Sequence, residues 1–500
     1  MLEVTANNLR GAANICAQNG RRPLTAMFAA DETWLGKGYA IYCLFEDDRE
    51  QTLHTLRAEL APEGDLSYPA LTSVLPAAAW YEREIHDLLG LLPVGHPDLR
   101  PLVLHETFPE GFYPLRKNIP VQTAVRGRRD YKMHSAQGEG VFEVAVGPIH
   151  AGIIEPGHFR FSQAGEAMLQ LDAKLFFTHR GIEKALEGKT VDEGLVLVER
   201  ICGACTVANS LSYCQAVEKL ANQPVPRRAW LIRTVLAEME RLVNHVGDTG
   251  NMCAGVGFAP PVSMGARLKE VLMQANEQLT GNRFLRGMIM PGGVKADLGP
   301  QLRQELSATL DEVAAQYKTL VQILAEQTDF LNRIRKTGVV RKQTALDLAL
   351  VGVGARASGV AKDCRKDLPY GLYGELAFAT VTEPNGDVEA RLLVREREVT
   401  ESIKILRQVL ALLEEDTTPL AVTSLAYRTQ EGSWGMSESA HGSNLHWLML
   451  DAEQKLARIF VRSASYPNWP AVPMAVQGDI IPDFPLINKS FELCYACLDR

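Results

Sequence analysis

The chain has 500 residues, 46% apolar and 22% charged, with a formal net charge of −8. This composition fits a large soluble globular chain of several domains and excludes a disordered or fibrous one. Lys/Arg and Asp/Glu are scattered without a basic stripe, so no nucleic acid is expected as a partner. The first thirty residues lack a cationic start leading into an apolar block, which predicts no secretory signal. Apolar runs such as Leu348–Val353 are broken by glycine and polar residues far short of the roughly 18 residues that span a bilayer. A cytoplasmic chain is therefore expected. Residues 1–120 mix β-rich runs such as Tyr39–Phe45 with amphipathic helical stretches and predict a small α+β domain. Residues 121–138 are rich in Arg, Gly and polar side chains, lack apolar periodicity, and predict a linker. From 139 to 500 the helical period dominates. Trp230, Leu231, Val235, Leu236, Met239, Leu242 and Val243 share one stripe, as do Leu302, Leu306, Leu310, Val313, Tyr317 and Leu320. The fold expected is mainly α: a large helical bundle, with Gly- and Pro-rich loops at its active edge, preceded by the α+β domain.

Nine cysteines in a long chain of this kind argue against a disulfide framework. Cys16, Cys43, Cys214, Cys253 and Cys364 are isolated and are read as buried core thiols. The other four form two Cys-x-x-Cys pairs, Cys202/Cys205 and Cys494/Cys497, separated by most of the chain. Each pair can reach one ion from a single turn, and two pairs complete a four-sulfur cage. Spacing alone leaves a structural zinc, a redox-active metal centre and unmetallated thiols open.

The sequence around these pairs narrows the choice. Glu199-Arg200-Ile201-Cys202-Gly203-Ala204-Cys205 and the final Cys494-Tyr495-Ala496-Cys497-Leu498-Asp499-Arg500 resemble the nickel-ligand motifs of nickel–iron hydrogenase large subunits, most closely the membrane-associated group that includes formate hydrogenlyase and hydrogenase-4. The blocks Gly147–Phe161, Phe176–Lys184, Gly354–Gly359 and Tyr466–Pro470 resemble that family in its order. Trp80–Gly90, His96–Arg100 and Pro114–Lys117 resemble the 30-kDa subunit of complex I, and the larger region is related to its 49-kDa subunit. The resemblance implies a nickel–iron centre bearing CO and CN⁻, with Cys202 and Cys494 as terminal nickel ligands and Cys205 and Cys497 bridging to iron. It implies proton transfer through Glu155, a divalent cation such as magnesium near Glu183, and Arg200, Asn209 and Glu438 around the ligands. For Glu183, a salt bridge with Arg180 or Lys184 is the alternative. An iron–sulfur subunit like the cluster-bearing subunit of complex I, docked on the face of Cys202 and Cys494, and membrane subunits are the implied partners. Attachment to the inner face of the cell membrane would then come through them.

Three positions depart from the family pattern. Asn209 stands where the family has a histidine after the first cysteine pair; an amide donates a hydrogen bond but does not titrate. His441, in Glu438-Ser439-Ala440-His441-Gly442, replaces an arginine over the open metal position and is expected to accept protons when neutral. Glu492-Leu493 replaces a rigidifying Asp-Pro. These changes leave two competing readings beside the hydrogenase. One is a nickel-free complex I-like subunit working at a quinone or in energy coupling. Against it, its quinone-facing histidine and tyrosine correspond to Ile154 and the vicinity of Gly203, which cannot hydrogen-bond a quinone. The other is an assembly protein holding a structural zinc.

Overall fold

The computed structural model describes residues 1–18, 20–150 and 155–500. Ile154 lies outside the described residues. Strands Leu24–Asp31, Tyr39–Asp47 and Thr52–Leu60 form an antiparallel meander, and Leu2–Thr5 joins it in parallel beside Thr52–Leu60. Every residue of the first two meander strands is buried, which is why Tyr39–Phe45 reads as a nearly unbroken apolar run rather than an alternating one. Helices Leu9–Ala17 and Ala79–Leu89 pack on this sheet. So does a second sheet from the far end of the chain: the Phe28 ring stacks on Phe460 at 4.4 Å and tilts against Trp447 at 4.9 Å, and Arg458 Nη2 donates to the Ala29 carbonyl at 3.1 Å.

That second sheet is an antiparallel hairpin, Gly432–Ser439 with Gly442–Leu450, extended by Leu456–Arg462. Ser439 pairs with Gly442, so Ala440 and His441 are the two residues of the hairpin tip. A third antiparallel sheet comprises Val141–Val146, His158–Ala164 and Ala167–Lys174. The helical part is built on Thr206–Ala221, Arg227–Ala254, Ala259–Thr280, Pro300–Glu326 and Val388–Glu415. Local chemistry marks their ends. Asp387 caps the last of these helices by accepting from the Ala390 N–H, and Asn222 closes the first in the left-handed conformation. Helices Arg227–Ala254 and Ala259–Thr280 approach so closely at Gly250 and Gly265 that a Cβ on either would lie under 3.0 Å from the other's backbone.

The expectation of a mainly α fold needs correction. The chain is 43% helix and 18% strand, a mixed α/β arrangement. The hairpin at 432–450 is invisible to periodicity because both its faces are covered, and its polar residues are buried and bonded within the protein. His446 Nδ1 lies 2.8 Å from Ser212 Oγ, and Ser437 Oγ donates to the Ala208 carbonyl at 2.6 Å, which ties the sheet to helix Thr206–Ala221. Residues 123–137 carry no helix or strand, yet Arg129 donates to the carbonyls of Phe108 and Pro109 and pins that stretch to the N-terminal region. Among the described residues, no helix is long and apolar enough to cross a membrane.

Candidate metal centre

The first cysteine pair leads into a helix and the second brackets the first turn of one. Cys205 is the residue before helix Thr206–Ala221, and Cys494 caps helix Tyr495–Asp499 by accepting the Cys497 N–H on its sulfur at 3.3 Å. Cys202 Sγ likewise accepts the Ala204 N–H at 3.1 Å. Helix N-termini and backbone amides directed at sulfur favour thiolate character, and each turn aims one such N–H at a sulfur. The two turns meet. Cys202 and Cys494, 292 positions apart, have their sulfurs 3.2 Å from one another, and those of Cys202, Cys494 and Cys497 all lie within 4.8 Å. Cys205 flanks this group of three: its sulfur faces His441, and the neighbouring Cys202 and Cys497 thiols pull its pKa down against its burial. Sharing among these thiols pushes those of Cys494 and Cys497 up. A metal–sulfur bond of about 2.3 Å puts sulfurs in a common shell roughly 3 to 4 Å apart. The donor set fits a soft or borderline metal such as nickel, iron or zinc. Three of the four cysteines are buried, while Gly203 between the first two is exposed, so the centre lies just beneath the surface.

The other expected residues divide into those the fold brings here and those it does not. Glu155 Oε2 accepts the Ala496 N–H at 2.7 Å, between the two cysteines of the second pair. Burial, followed by the charge of Cys494, raises its pKa. His441, at the hairpin tip, has Nδ1 3.7 Å from Cys205 Sγ and Nε2 3.5 Å from Asp248 Oδ2. Burial disfavours the charged ring, but the Asp248 carboxylate outweighs it and the pKa is raised. The ring is therefore held as a cation to higher pH than a free imidazole, which differs from the neutral acceptor expected from sequence. The tip is fixed from behind by Gly352, whose positive φ of 62° lets it press on the turn; a Cβ there would stand 2.1 Å from the His441 carbonyl oxygen. Asn209, one helical turn after Cys205, is fully buried, and neither side-chain polar atom has a hydrogen-bond partner among the described residues.

Glu183 is occupied by cations of the protein itself. Arg458 donates to Oε2 at 2.6 Å, while Arg500 and the Val461 N–H donate to Oε1 at 3.0 Å each. Two guanidinium groups saturate the carboxylate that was expected near a divalent cation. The salt bridge expected with Arg180 or Lys184 does not form: Arg180 donates to the Ile201 and Ala496 carbonyls and Lys184 to Glu187. Arg200 points to solvent and donates to the Val196 carbonyl at 2.7 Å. Glu438 lies behind the hairpin tip rather than at the sulfurs, accepting from Arg356 Nη1 at 2.8 Å and from the Cys364 N–H at 3.2 Å.

Sequence reasoning missed the polar face that supports the tip. Glu238, Arg241, His245 and Asp248 recur at helical spacing on Arg227–Ala254, all of them buried. They face Arg395, Glu398 and Ser402 of Val388–Glu415: His245 Nε2 lies 2.7 Å from Glu398 Oε2, Ser402 Oγ donates to Glu238 at 2.7 Å, and Arg395 Nε is 3.5 Å from Asp248. Arg241 donates to the carbonyls of Glu438 and Ser439 at 2.6 and 2.8 Å, which anchors the hairpin. The signal was present as ionisable residues at intervals of three and four along an otherwise apolar helix.

Comparison with known proteins agrees with this architecture. Residues 2–125 match the 30-kDa subunit family of respiratory-chain NADH dehydrogenase, 255–433 its 49-kDa subunit family, and 180–247 the nickel-dependent hydrogenase family. Hydrogenase-4 component G of Escherichia coli (strain K12) is 34% identical over 95% of this chain and 84% of its own length. Formate hydrogenlyase subunit 5 of the same organism is 35% identical over the same shares of the two chains. The chain belongs to their family. Members of the complex I side are also near: NADH-quinone oxidoreductase subunit 4 of Thermus thermophilus is 31% identical over 72% of this chain and 94% of its own. A chain in the structure of the membrane-bound sulfane sulfur reductase, an archaeal respiratory membrane complex, superposes with a TM-score of 0.68 at 27% identity, over 72% of this chain and 99% of that one. This family member is accordingly an oxidoreductase subunit of the hydrogenase and complex I type.

Proposed function

We propose that the chain is the catalytic large subunit of a membrane-associated nickel–iron hydrogenase, with residues 1–120 as a 30-kDa-like domain, 121–138 as a linker and 139–500 as the metal-bearing domain. The observation that carries this reading is the convergence of Cys202, Cys494 and Cys497, with Cys205 flanking them. Cys202 and Cys494 would hold nickel, and Cys205 and Cys497 would bridge to iron. When bound, a centre of this kind with CO and CN⁻ supplies heterolytic cleavage or formation of H₂. The chain's own residues handle the proton. Glu155, anchored on the Ala496 N–H with its pKa raised, would receive a proton from Cys494 and pass it outward; its bond to the residue between Cys494 and Cys497 supports this role. His441, paired with Asp248, offers positive charge beside Cys205 where the family uses arginine. No divalent cation is assigned at Glu183. Electrons from a centre just under the surface must cross to an iron–sulfur partner, because no further cysteine cluster is present among the described residues. Membrane subunits would hold the assembly at the inner face of the cell membrane.

The nickel-free complex I-like reading draws on Asn209 and on the drift at His441 and Glu492-Leu493, but leaves four convergent thiols without a purpose. The test is nickel, iron and zinc content of the purified full-length chain and of Cys494→Ser. Nickel and iron in equal amounts, lost in the variant, with infrared bands of iron-bound CO and CN⁻, is the expected result. Zinc alone would favour the assembly protein, and a metal-free chain would favour the complex I-like subunit.

A further inference from the structure

Two separate segments carry the four cysteines, and among the described residues no backbone hydrogen bond joins residues 199–205 to residues 494–500. The Cys202 and Cys494 sulfurs approach to 3.2 Å. Between thiols such a contact is weak, and between thiolates it is repulsive. The turns must therefore be drawn together by other groups. Apart from the cysteines themselves, one side chain among the described residues hydrogen-bonds to both turns. Arg180 Nη2 donates to the Ile201 carbonyl at 2.9 Å and to the Ala496 carbonyl at 2.8 Å, and its Nη1 donates to the Arg200 carbonyl at 3.3 Å. Ile201 immediately precedes Cys202, and Ala496 lies between Cys494 and Cys497.

The backbone that carries Arg180 already belongs to the mounting of the second turn. Asp499 accepts the Phe176 and Thr178 N–H groups at 3.0 and 2.9 Å, and the Arg180 N–H donates to the Arg500 carbonyl at 2.7 Å. Residues 176–180 and the final turn are thus tied together, and the Arg180 guanidinium is the arm that reaches from them to the first cysteine loop. Its planar fork, with several fixed N–H directions, suits the bridging of carbonyls on different segments. The side chain is exposed, so the bridge buries no charge. The contact also has an electronic side. The Ala496 carbonyl and the Cys497 N–H belong to one trans peptide unit and point in opposite directions. That N–H donates to Cys494 Sγ at 3.3 Å. A cation on the carbonyl oxygen polarises the peptide and strengthens its N–H as a donor, as happens along any chain of consecutive hydrogen bonds.

We propose that Arg180 is a positioning residue for the metal centre: its guanidinium clasps the two cysteine turns from the surface and, through the Ala496–Cys497 peptide, strengthens the hydrogen bond to the Cys494 sulfur. The same nitrogen serves both turns, so the clasp closes only when the cysteine pairs face one another. This inference rests on the four-thiol centre of the preceding section, though not on nickel being the metal it holds.

The test titrates cobalt(II) into the reduced full-length chain and follows the thiolate-to-cobalt charge-transfer band. Arg180→Leu removes both effects, and Arg180→Lys keeps a cationic donor on a shorter reach. Both variants should melt like the parent, because the side chain is exposed. Arg180→Leu is expected to bind cobalt about tenfold more weakly, the scale of a lost charge-assisted hydrogen bond. Its band should move to lower energy, because a thiolate with a weakened N–H bond gives up an electron more readily. Arg180→Lys should recover part of both changes. A role in fold stability alone would lower the melting temperature and leave the band in place. Parent-like cobalt affinity in Arg180→Leu, a band that does not move, or a lysine variant no better than leucine would overturn the inference and leave the four-thiol reading intact. A parent chain without the band, or one whose band survives Cys494→Ser unchanged, would instead overturn the four-thiol reading and take the inference with it.

Discussion

Arg356 is the sharpest test of the buried ionic face behind the hairpin tip. It is fully buried, donates from Nη1 to Glu438 Oε1 at 2.8 Å, and has Nε 2.6 Å from Glu398 Oε1, an ion contact without hydrogen-bond alignment. Arg356→Met keeps the aliphatic stem and removes the charge, leaving two buried carboxylates short of a cation. Glu398 keeps His245 at 2.7 Å and Glu438 keeps the Cys364 N–H at 3.2 Å. The loss therefore belongs at the low end of the range for breaking a buried pair, about 3 kcal/mol, or a factor of about 150 in the folding equilibrium. The sign with pH is fixed by Glu398. Burial alone would raise its pKa, but Arg356 and His245 hold it well below the usual carboxylate range. A depressed carboxylate contributes stability that is present above its unfolded pKa of about 4.3 and disappears as pH falls through the folded value. Urea unfolding should thus show the full loss at about pH 7 and a smaller one in acid. Adding Glu398→Gln should recover at least about 1 kcal/mol, because the two sites are in contact. A loss under about 1 kcal/mol, equal at both pH values and additive with Glu398→Gln, would refute the claim that this charge network holds the region together.

Glu240 accepts the Val207 and Ala208 N–H groups at 2.6 and 3.1 Å, and burial raises its pKa to about 7. A carboxyl raised above its unfolded value contributes stability below that value and loses it as pH rises through the folded pKa, so Glu240→Gln should flatten the fall in urea midpoint between about pH 5 and about pH 8. On the hydrogenase reading, the charge of His441 should sustain H₂ turnover at lower pH and decline as pH rises through its raised pKa. His441→Arg should extend activity to higher pH, and an unchanged pH profile in a nickel-loaded variant would remove the ring from the mechanism. Gly352→Ala should cost about 1–3 kcal/mol through its left-handed backbone and displace the tip; nickel and iron content should drop with it, and an unaltered metal content would show that the tip does not govern the centre.

The two Cys-x-x-Cys pairs were legible because metal chemistry fixes their spacing locally, and the turns that present them are local as well. Their partners were not. Glu183 meets Arg458 and Arg500, and Glu438 meets Arg356, across separations that no periodicity encodes. The hairpin ending at His441 reads as a loop in sequence because its strands carry Gly432, Gly435 and Gly442, and its buried polar residues are satisfied by a helix packed on it rather than by water. Gly435 in particular is small for a reason visible only in three dimensions: a Cβ there would stand 2.1 Å from the Ser212 carbonyl. The helices announced themselves by their apolar stripes, yet the same period carried the acidic and basic residues of Arg227–Ala254 unnoticed. An apolar stripe and a buried polar stripe share one spacing, and only the facing helix tells them apart.

The stacking of Phe28 on Phe460 and Trp447 joins the first sheet of the chain to the last. Were these two regions separate polypeptides, the contact would be a binding equilibrium, subject to dilution and to mismatch in expression. On one chain it is an intramolecular closure at an effective concentration of the millimolar order. The stoichiometry of the two parts is then fixed at synthesis, and the apolar faces that would otherwise invite association with other proteins are covered as soon as the C-terminal sheet folds. Cutting the connecting segment should therefore convert a concentration-independent property, the burial of Phe28, into one that titrates with protein.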